Sequence, residues 1–295
     1  ILLQVRLPRI VMGLLTGASL AMVGAVFQAL LRNPLATPYT LGVSSGGAFG
    51  AVLATLLPSY LPAFAFTWGP LTYVQVSAFA GALLAVAMIY WLARSGGRVT
   101  TLELLLAGVT LGMIFSALIL VVRYLAHPNL LVAMDRWMMG GLATDGWRDV
   151  WLTLPLLVPA LGALLLLARG LDQISFGEEM AAGRGVNVAR LQRQAFLFGS
   201  LAVASVVSTS GPIGFVGLIV PHTVRRIVGP DHRLLLPCCA LAGGGFLVLC
   251  DTLARSIRPA TEIPVGVITA LLGGPFFIYL LIHGRRSGRM WGSER

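Results

Sequence analysis

Nine long, continuous apolar runs decide what this chain can become: residues 10–30, 40–57, 71–92, 104–125, 150–168, 194–210, 213–228, 234–253 and 263–283. A run of roughly 18 apolar residues is long enough to cross the hydrocarbon of a bilayer as a helix. Strands of a membrane barrel would alternate apolar and polar residues instead. Only 11% of the 295 residues are charged, 57% are hydrophobic, and the mean hydropathy is +0.87. Soluble domains carry about a quarter charged residues, so there is too little polar surface here to face water. The expected fold class is all-α, a polytopic helical membrane protein with nine spans in a single transmembrane domain over residues 1–295.

The charge pattern orients it. All 21 basic residues are Arg and the net charge is +10. With the C-terminus placed in the cytoplasm and the spans alternated backwards, fourteen arginines fall inside (32, 94, 98, 169, 184, 190, 193, 225, 226, 233, 285, 286, 289 and 295). Seven fall outside (6, 9, 123, 136, 148, 255 and 258). That bias is the one expected of cytoplasmic loops. The N-terminus then lies outside although "ILLQVRLPR" offers no export signal. One further helix upstream of Ile1 is therefore expected, a tenth that these residues do not include.

A chain without lysine has no P-loop, because that motif needs its Lys to reach the nucleotide phosphates. Mid-span carboxylates and histidines, which serve ion-coupled carriers as relays, are nearly missing: Glu103, Asp251 and Glu262 fall near span ends. No nucleophile–base pair or metal set stands at credible spacing, so no catalytic residue, cofactor or metal is predicted. His127, His222, His232 and His283 read as interfacial side chains, and Cys238, Cys239 and Cys250 as small apolar ones. The energy for any transport would have to come from outside the chain.

Within lipid, helices associate where small residues let backbones approach. Gly13, Gly17, Ala21, Ala25 and Ala29 form such a row, and Gly108/Gly112/Ser116 and Gly266/Ala270/Gly274 repeat it. Two stretches break the pattern. In "LLRNPLATPYTLGVSSGGAFGA" (residues 30–51), Pro34 and Pro38 each lack an amide proton and disfavour helix in the preceding residue. An irregular turn is expected at the cytoplasmic end, a constriction with Asn33 and Leu35 at its narrow point. "STSGPIGFVGLIVPH" (residues 208–222) is a second interruption, expected at the opposite face. The pair hints at an inverted repeat of residues 10–125 against 194–283. The loop over residues 168–194 is far longer than a plain helix connection. Its "EEMAAGRG" reads as a short docking helix, acidic at its start and ended by Gly183 and Gly185.

Taken together, "RLPR", "NPLATP" followed by "LGVSSGGAFG", "WMMGG", "GEEMAAGRG", "SGPIGFVGLIVPHTVRR", "DHRLLLP" and "EIPVGVITALLGGPFFIYLL" resemble the membrane subunit of ABC importers for iron-siderophores, haem and cobalamin. The resemblance runs from Arg6 to about Ile282. It implies a ten-helix permease of the inner (plasma) membrane that works by alternating access. Its implied partners are a second permease subunit, two ATP-binding subunits that hydrolyse ATP, and a periplasmic substrate-binding protein. Arg6, Arg9 and Arg255 match residues that grip the binding protein, and Arg258 is added here as a fourth candidate. Asn33 and Leu35 match an inner gate, Thr100 and Thr101 a second one. Glu178, Glu179, Ala181, Ala182, Gly183 and Gly185 match the helix that fits the ATPase. An iron chelate is the expected cargo, with cobalamin as the alternative.

Overall fold

A computed structural model describes residues 2–61, 67–68, 71–93, 101–257 and 262–286. Twelve α-helices occur among them: α1 (Leu7–Leu30), α2 (Val43–Leu56), α3 (Tyr73–Ala93), α4 (Thr101–Leu125), α5 (Pro128–Met138), α6 (Trp147–Leu166), α7 (Ala168–Ser175), α8 (Glu178–Gly183), α9 (Val188–Ser210), α10 (Val216–Val228), α11 (His232–Ile257) and α12 (Val265–Arg286). A π-turn over Leu2–Arg6 precedes α1, and a 3₁₀ turn over Leu57–Ser59 follows α2. Thr67–Trp68 and Leu71–Thr72 pair as an antiparallel ladder of two residues each.

Among the described residues, five stretches are both long and apolar enough to cross a bilayer: Leu2–Leu30, Tyr73–Ala93, Leu102–Leu125, Trp147–Leu166 and His232–Ile257. The window 213–228 is helical only from Val216 on. Its helix, α10, has 13 residues and rises only about 20 Å at 1.5 Å per residue, too short for a hydrocarbon core of about 30 Å. It starts beside Leu20 and Gly24, inside the length of α1. The preceding segment, residues 211–215, packs against Trp137, Gly140 and Gly273.

The helix ends sort into two groups, as alternating spans require. At one end the starts of α3 and α6 are tied by Gln75 Nε2 donating to Asp149 (3.0 Å), and Trp147 Nε1 donates to the carbonyl of Leu3 (2.9 Å). There too Arg123 at the end of α4 pairs with Asp135 of α5 (2.6 Å). At the other end the Phe27 and Phe196 rings of α1 and α9 stack at 5.2 Å, and His232 of α11 meets Asp172 of α7 (2.6 Å). Helix α5 was not anticipated. It is amphipathic, opened by Pro128, and buries Met134 against the outer end of α2.

Helix α1 is the centre of the bundle, with 17 of its 24 residues buried. The small-residue row explains why. A Cβ at Gly17 would overlap the carbonyl of Gly243 in α11, and one at Gly24 would overlap Gly217 in α10. Helices α2 and α3 meet the same way through Gly46 and Gly81. Gly108 lies against Thr40 and Leu41, and Gly266 against the Met139 carbonyl, whereas Gly274 faces open space. Local signals fix the helix starts. Thr72 and Gln75 form a reciprocal capping box on α3 (3.3 and 3.1 Å), and Asn187 caps α9 by accepting from the Arg190 amide (3.0 Å).

Candidate functional site

At the end of the bundle expected to face outward, α1, α11 and the stretch before α12 converge on one charged cluster. Arg9 donates through Nε and Nη2 to Asp251 (3.1 and 2.8 Å) and through Nη1 to Glu262 (2.7 Å). Arg255, one turn beyond Asp251, brings Nε to 3.2 Å from Asp251 Oδ2 without hydrogen-bond alignment. Burial divides the two acids. The Asp251 side chain is 5% exposed and that of Glu262 is 51% exposed. Removing one partner of a buried ion pair costs about 3–5 kcal/mol, because the other charge is stranded. A solvent-exposed pair contributes only about 0–1 kcal/mol. Asp251 is thus a fixed anchor for both arginines, and Glu262 is the weakly held member.

Of the arginines predicted to face a docking partner, Arg6 is exposed in the π-turn and makes no side-chain hydrogen bond or ion pair among the described residues. Arg9 and Arg255 lie together but are already engaged within the chain. Arg258 lies outside the described residues. The sequence reading placed Asp251 and Glu262 near span ends but missed that they partner Arg9, which lies 242 and 253 positions away.

At the inner end the chain leaves α1 through a Schellman turn. The amide of Asn33 bonds the carbonyl of Gln28 (3.1 Å), and that of Arg32 bonds Ala29 (3.2 Å). The residue such a turn needs in left-handed conformation is normally Gly; here it is Arg32, at φ +45°. Asn33 Oδ1 then accepts the Leu35 amide (2.9 Å) and holds the turn. The other described non-glycine residue with positive φ is Phe215 (+67°), which opens α10 with its ring packed against Gly273 of α12. Both left-handed residues therefore fall in the two interrupted segments singled out from the sequence, and such outliers cluster at sites under functional constraint.

Gln28 joins the two segments. Its Nε2 donates to the Gly217 carbonyl in α10 (3.1 Å), and Arg225 Nη1 donates to its Oε1 (3.4 Å). Beside it opens a cleft of about 540 Å³ lined by Gln28, Arg32, Asn33, Asp172, Arg225 and His232. The lone amide in "AVFQALL" was a readable signal, since a polar side chain in an apolar span is expensive unless it is paired. Leu35 is half-buried. Thr101 opens α4, and Thr100 lies outside the described residues. His127 precedes α5 and His222 faces the Phe276 ring edge-on at 6.1 Å, so these histidines are on separate elements from the His232–Asp172 pair.

The arginine-rich end also carries α7 and α8. Ala181 is fully buried, and Glu178 accepts from Gln192 Nε2 (3.1 Å), which fixes α8 onto α9. The helix ends in a second Schellman turn, Val186 to Ala181 (3.0 Å) and Gly185 to Ala182 (2.9 Å), with Gly185 at φ +84°. Gly185 is therefore the capping residue, while Gly183 is still helical. Glu179, Ala182 and Gly183 are exposed, as are the large apolar side chains of Phe176 and Met180, with Arg184 set 5.9 Å above the Phe176 ring. This is a rigid knob with an apolar face.

A bundle of membrane-length helices, one short helix behind an irregular segment, an ion-paired cluster at one end and a capped knob at the other are features of a multi-pass membrane protein. Residues 1–283 match the model of the FecCD transport family, and the chain belongs to that family. It is 48% identical over 277 residues to the cobalamin import system permease protein BtuC of Halobacterium salinarum (94% of this chain, 72% of that one). It is 38% identical over 288 residues to the hemin transport system permease protein HmuU of Yersinia pestis (97% and 85%). A metal-chelate type ABC transporter solved in an inward-facing conformation superimposes with a TM-score of 0.85 at 35% identity, covering 95% of this chain and 86% of that one.

Proposed function

We propose that the chain is the permease subunit of an ABC importer of the inner membrane. It moves a bulky metal chelate, a ferric siderophore or haem, to the cytoplasm by alternating access, without chemistry of its own. The observation that carries the reading is the α8 knob: fixed by Ala181 and Glu178, capped at Gly185, and presenting Phe176, Met180 and Ala182 to a partner. Two ATP-binding subunits would dock there, one on each permease of a dimer, and convert nucleotide-driven closure into movement of the interrupted segments. Asn33 and Leu35, with Thr100 and Thr101, would form the inner gates. A periplasmic binding protein would deliver cargo to Arg6, Arg9, Arg255 and Arg258. Cobalamin is the second reading for the cargo, favoured by the name of the 48% identical relative.

Met180→Asp with Ala182→Glu puts two charges on the exposed positions either side of Ala181 and leaves that buried residue in place. Co-purification of the ATPase subunit and ATP-driven uptake should both be lost while the permease melts as the parent does. Retained co-purification and uptake would contradict the docking role. On the outer side, Arg6→Glu with Arg9→Glu should weaken binding-protein docking and its stimulation of ATPase activity in proteoliposomes; unchanged stimulation would contradict that assignment.

A further inference from the structure

We propose that Glu262 is an internal stand-in for an acidic group on the partner protein that docks at the outer mouth. It occupies the outward edge of Arg9 and is exchanged for the partner's carboxylate on docking. This inference rests on the docking role proposed above for the outer arginines.

The guanidinium of Arg9 is divided between two acids of different character. Asp251 takes Nε and Nη2, and Glu262 takes only Nη1, at 2.7 Å. Asp251 is held within α11 and shielded from water, so it cannot leave without stranding two arginines. Glu262 sits on the non-helical stretch ahead of α12 with half of its side chain in water. It can turn outward without breaking a helix. Arg9, Arg255, Asp251 and Glu262 sum to zero charge, so a carboxylate arriving while Glu262 stays would be a third acid on two arginines. Exchange keeps the pairing balanced, and a planar guanidinium edge suits a carboxylate from either source. The Arg255 side chain, 29% exposed, places a second positive charge beside the same Asp251 carboxylate. The occupant is thus a protein surface presenting a carboxylate, and Glu262 sets how tightly it is held.

Glu262→Gln keeps the shape and removes the competing charge. The permease–ATPase complex in lipid nanodiscs is titrated with its fluorescently labelled binding protein. Glu262→Gln should lower Kd about two- to fivefold, the scale of an exposed ion pair, and the gain should vanish when Arg9 is also changed to Gln. Glu262→Ala should show the same gain, which separates loss of the competitor from any effect of the introduced amide. An unchanged or raised Kd in both Glu262 variants, while Arg6→Glu with Arg9→Glu still weakens docking, would overturn the exchange and leave the docking site standing. A gain that survives the loss of Arg9 would overturn it as well. If the charge reversals also leave Kd unaltered, the docking reading itself falls.

Discussion

Two residue types shape the exit from α1, proline by what its ring forbids and Arg32 by the left-handed conformation it adopts. Pro34 and Pro38 announce a break because proline's backbone restrictions are local. Nothing about an arginine announces left-handed backbone, so Arg32 was read as a topological charge although it completes the turn out of α1. The left-handed region costs an ordinary residue about 1–2 kcal/mol, and glycine loses about 0.5–1 kcal/mol to its greater freedom when unfolded. Arg32→Gly should therefore leave stability within about 1 kcal/mol of the parent, on the favourable side. A fall in melting temperature of many degrees would show that the Arg32 side chain itself holds the turn. The outer cluster gives a sharper contrast. Asp251→Asn should destabilise by about 3–5 kcal/mol through stranded arginines, and Glu262→Gln by less than about 1 kcal/mol. Chemical or thermal unfolding of the two variants in one detergent would check this; equal losses would contradict the division into anchor and exchangeable acid.

At the scale of helices, hydropathy located the spans well because lipid imposes one simple requirement, a long apolar segment with its backbone paired internally. At α10 it marked an apolar run but not that its helix is only 13 residues long and starts beside Leu20 and Gly24 of α1. It missed α5 because eleven residues with one buried stripe look like a loop between spans, although Pro128 and the spacing of Leu131, Met134 and Met138 mark a short amphipathic helix. Small-residue rows were legible as packing faces, but not which glycines within them matter. Gly17 and Gly274 separate these cases. Gly17→Ala places a methyl on the Gly243 carbonyl and should cost about 1–3 kcal/mol through overpacking, against the usual gain of replacing a helical glycine. Gly274→Ala meets nothing within 4 Å and should be neutral or mildly stabilising. Comparable loss of melting temperature in both would contradict the close α1–α11 approach.

For the whole molecule, the two interrupted segments and the two helix-end assemblies make one mechanical unit. The outer cluster ties α1 to α11 and the stretch before α12, while at the inner end Gln28 ties α1 to α10 and Asp172 ties α7 to α11. A push on α8, or a pull on Arg9, thus reaches the same central helix. A partner biases such an equilibrium only through its different affinity for the two states, and the importer role proposed above puts the energy source in the partners. The most direct measurement is accumulation of a labelled metal chelate in proteoliposomes holding this permease, with and without its ATPase subunits, under ATP or under imposed proton and sodium gradients. Concentrative uptake should require the ATPase subunits and ATP and should ignore the ion gradients. Uphill accumulation by the permease alone, driven by either gradient, would contradict it.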